Sequence, residues 1–79
     1  MEKINAWRAT IVYEYKSYDV VMLENRGVYE LYVAPMDNTR PMSFMLGLPM
    51  GQQTAENAMQ IGCAKAPEYI EDFLENEWA

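Results

Sequence analysis

An α+β fold is expected for this 79-residue chain: four strands forming a mainly antiparallel meander in chain order, then two short C-terminal helices packed on one face of the sheet. Three observations predict it. Apolar side chains alternate with period two through the first half, the signature of half-buried strands. Asn25-Arg26-Gly27 separates two such runs with residues that tolerate the positive φ of a tight hairpin. After Thr54 the apolar spacing lengthens to that of a helix, and Pro67 divides the helical region in two.

Residues 6–15 form the first expected strand, with Trp7, Ala9, Ile11, Tyr13 and Tyr15 on one side and Arg8, Thr10, Val12 and Glu14 on the other. Ile4, Trp7, Ile11 and Tyr15 also fit a helical spacing, but the β-branched run Thr10-Ile11-Val12 favours the strand. Tyr18–Glu24 and Val28–Ala34 make the hairpin. Pro35 cannot donate to a ladder and ends the third strand, and Asp37-Asn38-Thr39-Arg40-Pro41 carries turn chemistry. The fourth strand, Met42–Leu48, sends Met42, Phe44, Leu46 and Leu48 to one side and stops at Pro49-Met50-Gly51.

Thr54 is the expected N-cap of the first helix, with Glu56 in its first turn. Its inner stripe of Ala55, Ala58, Met59, Gly62 and Cys63 runs toward Lys65. Gly62 costs roughly 1 kcal/mol relative to Ala inside a helix, and close approach to the sheet is the usual compensation. Pro67 suits the first position of a second helix, Pro67–Trp78.

Composition sets the scale. Residues 1–79 make one domain, and Leu, Ile, Val and Phe supply only 16 side chains, so seven Met and six Tyr must complete a small core. The net charge of −6 is lopsided. Residues 1–40 carry five cations and six anions, for −1; residues 41–79 carry Lys65 and six anions, for −5. That sign argues against direct binding to nucleic acid or to an anionic membrane. Cys63 is alone, so no intramolecular disulfide is expected, and with no apolar leader at the N-terminus the expected compartment is the cytoplasm.

The inventory for catalysis is poor. There is no His, which removes the commonest general base and metal ligand. Asp19 and Glu24, or Glu14 across the sheet, could pair as acid and base, yet a domain this small offers little to raise a carboxyl pKa, and solvated strand charges are the expected outcome. Gly47-Leu48-Pro49-Met50-Gly51 lacks the Lys and Ser/Thr of a phosphate loop, and Asp37-Asn38-Thr39 lacks a calcium ligand series. The expectation is a non-enzyme with no cofactor and no metal.

The candidate site is electrostatic. Glu68, Glu71, Asp72 and Glu75 recur at i, i+3, i+4, i+7 with no Lys or Arg nearby, so all four fall within about a third of a helix circumference. Tyr69, Ile70, Phe73, Leu74 and Trp78 take the opposite half. Like charges at i, i+4 destabilise a helix, and Glu75 and Glu77 stand at the negative end of its dipole, so a local rule is broken without visible return. The spacing is about one charge per 3 Å, close to that of a single nucleic-acid strand. Met36, Met42, Met45 and Met50 read first as core filler and second as an adaptable contact surface. Tyr13, Tyr15, Tyr18, Tyr29 and Tyr32 are candidates for an exposed aromatic surface, with Tyr13, Tyr15 and Tyr32 as partner anchors.

These traits give three expectations. The first is a small acidic inhibitor or adaptor whose stripe engages a basic protein, such as a nucleic-acid-handling complex. In size, acidity and absence of catalytic groups it resembles phage or mobile-element anti-CRISPR and other DNA-mimic inhibitors, in type only. The second is a self-associating module, a homodimer through an uncovered sheet face or an edge strand. The third, well behind, is a carboxylate-dependent enzyme.

Overall fold

Two tight turns, each built from two consecutive residues at positive φ, organise the sheet. Glu14 and Tyr15 (φ 49° and 68°) join β1 (Ala6–Tyr13) to β2 (Lys16–Asn25), and Arg26 and Gly27 (50° and 79°) join β2 to β3 (Val28–Pro35). Positive φ at both central residues matches the twist of paired strands. The computed structural model describes residues 5–79, so Ile4 of the rival helical spacing lies outside it. β4 (Ser43–Pro49) completes a four-stranded antiparallel sheet in the order β1-β2-β3-β4, and the α+β class and meander topology are as expected.

The first strand ends two residues sooner than its alternation implies. Glu14 and Tyr15 are not strand but turn, although neither is the Gly or Asn that such a turn favours. A left-handed conformation costs a non-glycine residue roughly 1 kcal/mol or more, and here the eight paired positions of β1 and β2 hold it in place.

The fourth strand changes phase midway. Leu31 faces Leu46 while Tyr32 faces Phe44, so Met45 is an extra residue, a bulge. Met42, Phe44, Leu46 and Leu48 therefore do not share a side. Ser43 and Met45 are buried, Leu46 and Leu48 pack against the core, and Met42 and Phe44 are half exposed.

One helix, not two, covers the sheet. A three-residue 3₁₀ turn, Met50–Gln52, leads into α1 (Ala55–Glu75), 21 residues long with Pro67 inside it. The Thr54 hydroxyl accepts from the Asn57 amide at 3.1 Å, the expected N-cap. Pro67 removes the bond to the Cys63 carbonyl and costs roughly 3 kcal/mol. Ala58, Gly62, Ala66, Ile70 and Phe73 nevertheless make one buried stripe across it. Burying Ile70 and Phe73 yields roughly 1.5–3 kcal/mol each, and breaking the helix at Pro67 would swing both off the sheet, so packing outweighs the proline.

The last residues are not helical. The Trp78 amide reaches back to the Phe73 carbonyl at 2.6 Å, and its side chain, 2% exposed, lies parallel to Tyr18 with ring centres 6.3 Å apart and 5.1 Å from Phe73. Trp78 is thus core, as its amphipathic position suggested, by a different backbone route. The largest fully buried side chains of the core are Val20, Met22, Leu31 and Val33 from the central strands with Ile70 from the helix.

Candidate interaction surface

Because the buried stripe of α1 faces the sheet, the opposite ridge must face water. Glu68, Glu71, Asp72 and Glu75 are all exposed on that ridge. The only ion pairs among the described residues lie elsewhere, Arg8 with Asp19 at 2.6 Å and Lys16 with Asp37 at 2.9 Å. Asp72 accepts a hydrogen bond from the Asn76 amide group at 3.0 Å, a neutral contact that leaves its charge in place.

Continuity through Pro67 corrects one expectation. Lys65 now stands one turn before Glu68 on the same helix, so the stripe has a cation nearby. It makes no ion pair with any of the four acids. Leu74, expected on the buried side, is 45% exposed.

The tyrosines divide. Tyr18 and Tyr29 are core residues and offer no contact surface. Tyr32 lies on the face of the sheet that the helix leaves open, where its hydroxyl donates to Glu30 at 3.2 Å and its ring meets Phe44 edge to face at 5.4 Å. Burial and the Glu30 carboxylate both push the Tyr32 pKa up. The helix ridge and Tyr32 are therefore on opposite sides of the molecule and cannot touch one flat partner together.

Tyr13 and Tyr15 are better situated. Tyr13, at the end of β1, is half-buried beside the helix, and partial burial with the neighbouring carboxylates of Glu71 and Glu14 pushes its pKa up to about 12. Glu14 thereby extends the acidic ridge from α1 onto the β1–β2 turn. Tyr15 projects from that turn, fully exposed. Strand periodicity missed Glu14 as a ridge residue because it treats position 14 as part of β1. A positive φ on a residue that does not favour it has no marker in the sequence.

The other carboxylates are engaged locally. Asp19 holds Arg8 on the open sheet face, while Glu24 accepts from Asn5 at 2.7 Å, so the two do not form an acid–base pair. The Thr39 hydroxyl first, then Lys16 and the Thr39 amide, donate to Asp37 and hold its carboxyl down at about 2. Among the described residues no group of three or more His, Cys, Asp or Glu is arranged to hold a metal ion, and burial pushes the Cys63 thiol up, away from the reactive thiolate. No helix among the described residues is long and apolar enough to cross a membrane.

Comparison of this chain with protein-family models, with curated proteins and with solved structures finds no match.

Proposed function

We propose that this protein is a small acidic inhibitor or adaptor that occupies a basic surface of a nucleic-acid-handling protein, with the outer ridge of α1 standing in for a run of phosphates. Its setting would be the cytoplasm, and its type that of a phage or mobile-element protein acting against host defence. The observation that supports this reading is the exposure of Glu68, Glu71, Asp72 and Glu75 on one ridge without an ion pair to any described residue. Unpaired carboxylates so arranged raise the helix's own free energy and lower it again only against cations. Glu14 and the projecting Tyr15 lengthen the footprint onto the adjoining turn, Tyr15 supplying an apolar anchor of the kind interfaces favour. Tyr32 faces away and is dropped from this footprint.

Affinity capture tests it with three arms: wild type, a variant carrying Glu68→Gln, Glu71→Gln, Asp72→Asn and Glu75→Gln, and wild type in the presence of a DNA duplex. A nucleic-acid-handling protein should be held by the wild type, lost by the variant, displaced by the duplex, and released as salt rises. Equal capture by the neutralised variant removes the reading.

A second reading, a self-associating module, is favoured by the outer edge of β1, which no other described strand pairs with.

A further inference from the structure

The sheet has two edges, β1 and β4, and they differ. β4 is interrupted by the Met45 bulge, contains Gly47 and ends in Pro49, devices that spoil an edge for pairing. β1 has none of these. All eight of its residues pair with β2 without a register shift, and the run Thr10-Ile11-Val12 is β-branched throughout.

The geometry of the two-residue turn determines which backbone groups β1 presents. Tyr13 and Lys16 flank it as a doubly hydrogen-bonded pair, so Tyr13, Ile11, Ala9 and Trp7 bond inward to β2; the Glu24 amide donating to the Asn5 carbonyl at 3.2 Å continues the series. The amides and carbonyls of Ala6, Arg8, Thr10 and Val12 therefore point outward, and among the described residues nothing meets them. Side chains on both flanks of this edge are apolar: Trp7, Ile11 and Tyr13 are half-buried on the helix side, and Val12 is 70% exposed on the other. The one charge on β1, Arg8, is drawn back along the sheet by its own Asp19. Among the described residues nothing covers the edge.

We propose that β1 is the pairing edge of a homodimer in which two copies join antiparallel about a two-fold axis at Thr10, making one eight-stranded sheet. The register follows from the outward groups. Thr10 meets Thr10 of the second copy, Arg8 meets Val12, Trp7 meets Tyr13, and Ala9 meets Ile11. The outward donors of Arg8, Thr10 and Val12 then each find an acceptor, no like charges oppose one another across the seam, and the exposed Val12 is covered by the aliphatic stem of Arg8. Such a two-fold keeps both helices on one side of the sheet. A second copy fits better than an unrelated strand because symmetry alone supplies the matching alternation. This inference is independent of the acidic-ridge reading, and salt separates them: two copies of net charge −6 repel, so salt should tighten the dimer while it releases a basic partner.

Sedimentation and light scattering of the whole chain from micromolar to millimolar concentration give the test. The wild type should dimerise. Thr10→Pro deletes an outward amide and no bond to β2, so it should weaken the dimer by roughly tenfold or more with the circular dichroism spectrum unchanged, since each copy loses a hydrogen bond. Val12→Lys should do the same by adding a charge at the seam, and it serves if the proline variant fails to fold. In a Cys63→Ala background, Thr10→Cys should give a disulfide-linked dimer on oxidation, because opposed residues of a hydrogen-bonded pair lie about 5.5 Å apart between Cα atoms, within disulfide reach. A wild type that stays monomeric throughout, or a dimer that survives Val12→Lys and gives no Thr10→Cys crosslink, overturns the proposal; the latter would assign association to the open sheet face.

Discussion

The Trp78 indole nitrogen donates to the Ser43 hydroxyl over 2.8 Å in the buried seam between the end of the chain and the start of β4. Ser43 in turn donates to the Glu77 carboxylate, and the Arg40 guanidinium donates to the Trp78 carbonyl at 2.7 Å, so the last turn is tied to the β3–β4 connection by polar bonds as well as by the ring. The position of the acidic ridge depends on this anchor, because it fixes the far end of the helix that carries it.

Replacing Trp78 should separate the two contributions. Trp78→Phe keeps an aromatic ring against Tyr18 and Phe73 but leaves the Ser43 hydroxyl without its donor, a loss of about 1 kcal/mol. Trp78→Ala empties the site and should cost about 3–5 kcal/mol. Urea unfolding followed by circular dichroism measures both, and equal losses for the two variants would show that the ring contributes nothing beyond its hydrogen bond.

Gly62 faces the side chain of Leu31, and a methyl group built on its Cα would collide with Leu31 Cδ2 in the packed core. Gly62→Ala should therefore destabilise by about 1–3 kcal/mol through overpacking, against up to about 1 kcal/mol gained in helix propensity. Leu31→Val should be less harmful in the Gly62→Ala background than alone. A double-mutant cycle reads that coupling, and strict additivity would mean the two residues do not share the space.

Pro67 distinguishes one helix from two. Inside a continuous helix, Pro67→Ala restores a hydrogen bond and should stabilise by up to about 3 kcal/mol, less about 0.4–1 kcal/mol for the freer unfolded chain. At the first position of a separate helix the same change would be neutral or destabilising. Thermal unfolding decides, with a rise in Tm expected.

Alkaline titration should reveal Tyr13. Its pKa is raised from 10.0 to about 12, so the folded state keeps a proton that the unfolded chain gives up between those values. Folding then loses stability as pH rises through that window, and the contribution is complete below pH 10. Tyr13→Phe should flatten that part of the pH dependence and remove one step of the tyrosinate absorbance, and Glu71→Gln should move that same step to lower pH. Asp37 acts in the opposite sense: held at about 2 against an ordinary 3.8, it stabilises above pH 3.8 and its contribution disappears as pH falls through 2, a loss that Asp37→Asn should remove.

Much of this molecule was legible in local pattern. Alternation marked all four strands, Asn25-Arg26-Gly27 marked the central hairpin, Thr54 marked the start of the helix, and the 3.6-residue spacing put Glu68, Glu71, Asp72 and Glu75 on the side away from Ile70 and Phe73. These features are short-range, set by which neighbours along the chain share a face, and residue type suffices to read them. What tertiary structure alone decided has in common a competition between a local preference and packing. Helix α1 runs through Pro67 because Ile70 and Phe73 are worth more against the sheet than the missing hydrogen bond. Glu14 and Tyr15 accept left-handed backbone because the strands on either side are already paired, Met45 bulges so that both it and Leu46 can turn inward, and Tyr18 and Tyr29 are buried while Tyr15 is bare. In each case the deciding atoms lie far away in sequence, where no periodicity reaches.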